Sequence, residues 1–249
     1  MWPILASVVS DIDGSLFGGT AIAIHLRHRQ SFDLDYMTSD PFDVVEAANA
    51  LTEAFDGDIR VLRQDREGLH AMVGGVTVEI FRTPERGYNP GRVTMLEAPT
   101  IIDDLKVASL ADLLASKLDV LLYRQKLRDY IDLAAIDGQS PYSLEDGLLF
   151  HMTRYGPVPE GHELSQIITL LEDPGQLDAD PVFARESDRV LTHLRSRAPA
   201  LRRFLHHRIL SDADTAGEKP VDRPDAAGLT AKGQEILRSL PPIENISDP

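Results

Sequence analysis

Two aspartates one residue apart, Asp33 and Asp35, stand where this chain is best equipped for chemistry. They close a segment that opens with Gly18-Gly19-Thr20 and alternates through Ser31-Phe32-Asp33-Leu34-Asp35-Tyr36-Met37. On a strand, residues i and i+2 face the same way. The alternation predicts a strand over 31–37, with Ser31, Asp33 and Asp35 on one face and Phe32, Leu34 and Tyr36 packed on the other. Two carboxylates held this close repel, so they are tolerated when water solvates them or a cation bridges them. For the Asp-x-Asp taken alone, a solvated strand edge is the competing reading.

A third carboxylate interrupts Val76-Thr77-Val78-Glu79-Ile80-Phe81, an otherwise apolar strand pattern. An unpaired buried carboxylate is expensive, so Glu79 needs a partner or faces water. If this strand lies beside 31–37, Glu79 joins Asp33 and Asp35 as a metal ligand. Gly18 and Gly19 let a phosphate approach the backbone at a helix start, where free N–H groups and the helix dipole attract it. Thr20 can cap that helix or touch the phosphate. Lys117 falls in the apolar stripe Leu110, Leu114, Leu121, so it either snorkels to solvent or sets its ammonium in a cleft against a triphosphate. Asp129 and Asp132, three apart on the next helical segment, share a face. One of them could position Lys117 or an attacking hydroxyl; an ion pair between Arg128 and Asp132 is the alternative.

These residues need elements to hold them. The apolar run Ile4 to Val9 suits a short strand or a helix end. Helical spacing appears over Thr20 to Arg27 and from Pro41 to about Phe55. Strand patterns cover Asp58 to Leu62, Gly68 to Val73 and Gly75 to Arg82, with Gly74-Gly75 as a hairpin turn, and a further strand is expected over 92–96. Ser109-Leu110-Ala111-Asp112 has the form of a capping box for a helix reaching about Arg124. A second helix follows over Leu127 to Ile136, stopped by Gly138 and Pro141. The pattern from Ser143 to His206 is helical. The expected architecture is α+β: a mixed sheet with flanking helices over 1–105, a helical domain over 106–210 that completes the active site, and a disordered tail over 211–249, within which Thr230 to Leu240 could form a short helix.

Composition narrows the chemistry further. The chain has 249 residues and no cysteine, which excludes disulfides, zinc–thiolate sites and cysteine nucleophiles. Oxygen and nitrogen ligands remain, favouring Mg²⁺ or Mn²⁺ over a structural zinc. A net charge of −15 argues against indiscriminate nucleic-acid binding while leaving room for local basic clusters. One of these is Arg202/Arg203/His206/His207/Arg208, read either as a surface for a phosphate-rich acceptor or as a solvated helix face. No apolar run approaches the roughly 20 residues needed to span a bilayer, and the first residues lack the basic opening of a signal peptide. A cytoplasmic protein without membrane contact is expected.

Taken in order, Gly-Gly-Thr-Ala-Ile-Ala, Arg29-Gln-Ser-Phe-Asp33-Leu-Asp35, Glu79, Lys117-Leu118 and Arg128-Asp129-Tyr-Ile-Asp132-Leu133 resemble the AbiEii/AbiGii toxin family of nucleotidyltransferases, within the DNA polymerase β-like superfamily. The resemblance covers about residues 10–136. It implies a nucleotidyltransferase-like sheet carrying three carboxylates, Mg²⁺, and transfer of a nucleoside monophosphate from an NTP to an acceptor hydroxyl with release of pyrophosphate. It also implies, for many members, the toxin half of a toxin–antitoxin pair, and for some, modification of the tRNA 3′ end. On this chain the metal ligands would be Asp33, Asp35 and Glu79; the nucleotide-binding residues Gly18, Gly19, Thr20, Lys117 and Asp132; and the candidate bases Glu79 and Asp129. The third acidic position holds Glu where the family more commonly has Asp.

Three rival readings stand beside this one. The acceptor could be a small molecule or a protein. Val8-Val9-Ser10-Asp11-Ile12-Asp13-Gly14 resembles the first motif of haloacid dehalogenase-like phosphatases, with Asp11 as nucleophile and Asp13 as acid/base, although no downstream acidic motif accompanies it. The chain could also be a non-catalytic module that binds a nucleotide or a partner.

Overall fold

The computed structural model describes residues 2–66, 68–82, 94–156, 162–178, 181–215 and 229–239. The chain divides into two units, one of residues 1–87 with 97–109 and one of 88–96 with 110–249.

The first unit contains α1 (Trp2–Ser10), β1 (Ser15–Phe17), α2 (Gly18–Leu26), β2 (Leu34–Thr38), α3 (Val44–Ala54), β3 (Ile59–Asp65), β4 (Gly68–Val73), β5 (Val76–Arg82), β6 (Thr100–Ile102) and β7 (Leu105–Val107). The strands form one seven-stranded sheet in the order β3-β4-β5-β2-β1-β7-β6. β2 pairs parallel with β5, and β1 parallel with β7; the other neighbours are antiparallel. The alternation read from sequence gives this sheet two unlike faces. Leu16, Tyr36, Leu69, Ala71, Val78, Ile80 and Val107 lie on one face, and all are buried. Each Val, Leu or Ile among them contributes roughly 1.5–3 kcal/mol by leaving water. α3 packs on β3 and β4, and α1 on α3 and β7, which makes this face the core.

Several expectations change in detail. The run Ile4 to Val9 is helical. β2 begins at Leu34, so Asp33 lies in the preceding loop and Phe32 is 75 % exposed rather than packed. The Thr20 hydroxyl donates to the Asp33 carbonyl (2.5 Å), tying that backbone to α2 in place of a ladder bond. Asp43, not Pro41, starts α3: its carboxylate accepts from the Val45 and Glu46 N–H groups at 2.8 and 3.1 Å. Residues 92 and 93 of the strand expected over 92–96 lie outside the described residues, and Thr94 to Leu96 are not in a strand. β6 and β7 were not expected, since strands of three residues carry no legible period. Asp103 and Asp104, both at positive φ (47° and 65°), form their tight turn. β7 carries this unit past residue 105.

The second unit is helical: α4 (Leu110–Val120), α5 (Leu127–Gln139), α6 (Leu144–Tyr155), α7 (His162–Glu172), a 3₁₀ turn at Pro181–Glu186, α8 (Ser187–Thr215) and α9 (Ala231–Ser239). α4 stops at Val120, short of Arg124, and α5 runs through Gly138. A capping box opens α6: the Ser143 hydroxyl accepts from the Asp146 N–H (3.2 Å), and the Asp146 carboxylate accepts from the Ser143 N–H (2.7 Å). The other Asp146 oxygen accepts from the Thr230 N–H at 3.0 Å, which docks the start of α9 on α6, with Leu229 and Ile236 buried. Of the tail expected over 211–249, residues 211–215 belong to α8 and 231–239 to α9, while 216–228 and 240–249 lie outside the described residues. No described helix is long and apolar enough to cross a membrane.

Candidate active site

In the first unit, the candidate residues lie on the face of the sheet opposite the Leu16–Tyr36–Ile80 core. The parallel register sets Asp35 directly beside Glu79. Paired residues share a face, and neighbouring strands lie about 4.8 Å apart, so these carboxylates are adjacent. Glu79 therefore has the position that sequence made conditional on strand order. The antiparallel registers continue the row: Glu79 pairs with His70 on β4, and His70 with Arg63 on β3. An Arg63 Nη2 lies 3.7 Å from Glu79 Oε1, and Arg63 Nε lies 3.4 Å from Asp65 Oδ2. His70 and Arg63 escape sequence reading because nothing in their local pattern announces which strand they adjoin.

Asp33 does not share the Asp35 face by strand alternation, because it precedes the strand. Among the described residues, no group of three or more His, Asp or Glu side chains is gathered as a metal cage. The donor set still fits a hard cation. Mg²⁺ is commonly held by one or two carboxylates, with substrate phosphates and water completing its shell. Asp35 and Glu79 provide such a pair.

The glycine turn abuts this pair. β1 pairs Phe17 with Asp35, so Gly18 follows directly beside the Asp35 carboxylate. Gly18 has φ of 69°, and a Cβ on it would collide with Asp35 Oδ2. Both the backbone conformation and the close approach require glycine. Gly19 is similarly hemmed in: a Cβ there would meet the Arg29 guanidinium and, at 3.1 Å, the Ser31 hydroxyl. Phe17, the N-cap of α2, offers no side-chain acceptor to the first turn. The N-terminus of α2 thus has the makings of an anion cradle, with its dipole directed at the carboxylate pair. Gly18→Ala is expected to cost about 1–3 kcal/mol in stability and to displace Asp35. A thermal melt and a crystal structure of the variant check both; an unchanged melt with Asp35 in place would refute the close-approach argument.

In the second unit, Lys117 does not snorkel. Its ammonium lies 2.7 Å from Asp129 Oδ1 and 2.8 Å from Asp132 Oδ2, with the lysine side chain 7 % exposed and both aspartates fully buried. Arg124, 44 % exposed, adds a second cation at 3.2 Å from Asp129 Oδ2. Burial alone pulls the Lys117 ammonium down, but attraction to Asp132 and Asp129 outweighs it and holds the group above its ordinary value. Burial likewise pushes Asp129 up, and Lys117 with Arg124 reverses that and holds it below the ordinary carboxylate value. Asp129 is therefore a fixed anion that orients Lys117 and a poor candidate for a base. Asp132 pairs with Lys117 as well. On α8, Arg202 pairs with Glu172 at 2.6 Å, while Arg203 and His206 are exposed.

The phosphatase alternative finds little support at its own residues. Asp11 and Asp13 sit in the turn after α1, and Asp13 is ion-paired with Lys106.

A mixed sheet with a carboxylate pair beside a glycine turn at a helix start, followed by a helical unit, is the nucleotidyltransferase-toxin type of fold. The family model "Nucleotidyl transferase AbiEii toxin, Type IV TA system" matches residues 15–207, and the chain belongs to that family. Among solved structures, the chain is similar to MenT4, a nucleotidyltransferase toxin from Mycobacterium tuberculosis, with 14 % identity, 88 % of this chain and 91 % of that chain covered, and a TM-score of 0.44. It is also similar to the antibiotic-resistance factor ANT(2'')-Ia, with 16 % identity, 82 % and 94 % covered, and a TM-score of 0.30. No curated protein matches the chain significantly.

Proposed function

We propose that this protein transfers a nucleoside monophosphate from an NTP to an acceptor hydroxyl on RNA, tRNA being the leading candidate, as the toxin of a toxin–antitoxin pair. The observation that carries the reading is the Asp35–Glu79 register beside the Gly18 turn. In this reading Asp35 and Glu79, with Asp33 in the loop just before β2, would hold Mg²⁺ or Mn²⁺, which would supply Lewis acidity to the triphosphate and acidify the acceptor hydroxyl.

The remaining roles belong to the chain. The N–H groups at Gly18, Gly19 and Thr20 cradle the β- and γ-phosphates. In the second unit Lys117, Asp129 and Asp132 form a buried ion cluster that fixes the helices carrying them. Glu79 accepts the proton of the attacking hydroxyl. A bond forms between that oxygen and the α-phosphorus, the bond from the α-phosphorus to the bridging oxygen breaks in line, and pyrophosphate leaves.

Incubating the protein with Mg²⁺, each α-labelled NTP in turn and total cellular RNA tests the proposal. Label is expected on RNA with at least one base. Label on a small molecule or on protein instead would move the acceptor, and no label on anything would sink the transferase reading in favour of a binding module. Co-expression of the gene's neighbour is expected to relieve growth arrest if that neighbour encodes the antitoxin.

A further inference from the structure

β3 contains an irregularity with a chemical consequence. Its pairing with β4 shifts between Val61 and Arg63: Arg60 pairs with Met72, Val61 with Ala71, and Arg63 with His70. Leu62 is the extra residue of a bulge. In a regular strand, residues three apart point to opposite faces. Here Met72 and His70 are two apart on regular β4 and share a face, so their partners Arg60 and Arg63 share it too. That face is the one bearing Glu79 and Asp35. The bulge thus re-aims two arginines, both exposed, onto the catalytic side of the sheet.

Strand order then decides what they serve. Across the sheet the sequence of features is the Gly18 cradle after β1, Asp35 on β2, Glu79 on β5, His70 on β4, and Arg60 with Arg63 on β3. In-line displacement puts the leaving pyrophosphate and the attacking hydroxyl on opposite sides of the α-phosphorus. With the triphosphate cradle on the β1 side, the acceptor approaches from the β4 and β3 side. Arg60 and Arg63 are two rows apart, about 7 Å along the strand. That is close to the spacing of successive phosphates on an extended nucleotide chain.

We propose that Arg60 and Arg63, with His70 between them and Glu79, form a subsite for backbone phosphates of a single-stranded nucleic-acid acceptor, set on the catalytic face by the β3 bulge. The inference rests on the nucleotidyltransferase reading for its direction of approach. In the free protein Arg63 leans toward Glu79 and Asp65, and the incoming phosphates replace these acceptors.

The test is direct binding by the full chain. A 5′-fluorescent single-stranded RNA of about a dozen nucleotides is titrated against wild type and the Arg60→Gln/Arg63→Gln variant over a series of KCl concentrations, beside a non-hydrolysable NTP analogue with Mg²⁺. The variant is expected to bind RNA about tenfold more weakly at low salt, with the slope of log K against log salt reduced by about 1.4, as for two lost phosphate contacts. Analogue binding is expected to be unchanged. Unchanged RNA affinity and slope would overturn the subsite, as would equal losses for RNA and analogue, which would assign the arginines to the triphosphate. Competition by a mononucleotide as effective as by the oligonucleotide would overturn the strand acceptor. If the wild type labels no RNA yet the variant loses salt-dependent binding, the subsite stands and the transfer reading falls.

Discussion

Lys117→Met is expected to destabilise the helical unit by about 3–5 kcal/mol, the largest stability loss from any single change proposed for this chain. Methionine keeps most of the volume and removes the charge together with its hydrogen bonds to the two aspartates. Asp129 and Asp132 then remain in the interior without that ammonium, and Arg124 still pairs with Asp129. The pH dependence carries a sharper signature than the size of the loss. In wild type, Asp129 is held below its ordinary value of 3.8, so its contribution is present above that pH and is lost as the solution becomes more acid. Lys117 is held above its ordinary value of 10.5, so its contribution is complete below that pH and is lost as the solution becomes more alkaline. Without the lysine, both carboxylates are easier to bury protonated. The variant should therefore gain stability as pH falls from neutral toward about 5, where wild type stays level. Urea unfolding at several pH values measures this, and parallel curves for the two proteins would show that the lysine is not the counter-charge.

The largest loss of activity is expected for Asp35→Asn. The amide keeps the shape beside Gly18 and removes one of two adjacent negative charges, so the fold should be kept or slightly stabilised. Transfer of label from NTP to acceptor should fall on the order of 10³-fold, the scale seen when a group stabilising transition-state charge is removed. Asp11→Asn serves as the control, since Asp11 is exposed in the turn after α1. If Asp11→Asn abolished turnover while Asp35→Asn spared it, the phosphatase-like reading would replace the transferase one.

Sequence made the components legible and left their juxtaposition open. The buried alternation of β2, β4 and β5, the helices α3 to α6, and the identities of Asp35, Glu79, Lys117, Asp129 and Asp132 all follow from local pattern. Glu79 could be joined to Asp35 only conditionally, because register between strands more than forty residues apart is set by the whole sheet. Asp33 differs for the opposite reason: the local period predicts a strand from Ser31, but β2 begins only at Leu34, after the Asp33 carbonyl that Thr20 binds. Phe32 went with it, exposed where packing was expected. The β3 bulge is invisible to any two-residue period, which is why Arg60 and Arg63 read as scattered surface charge. Local pattern leaves Lys117 between solvent and cleft, and both aspartates of α5 make it a buried ion pair.

The order of strands also governs when the candidate site can assemble during synthesis. The hairpins β3–β4 and β4–β5 pair neighbours in sequence and can form early. Asp35, however, meets Glu79 only once β5 has been synthesised, and Leu16 of β1 has no parallel neighbour until Val107 has left the ribosome. A nascent chain ending before β7 lacks the strand that closes the β1 side, next to the glycine turn. Lys117, Asp129 and Asp132 lie later still in the chain. A chain laid out this way has no complete carboxylate pair and no closed sheet through the first part of its translation.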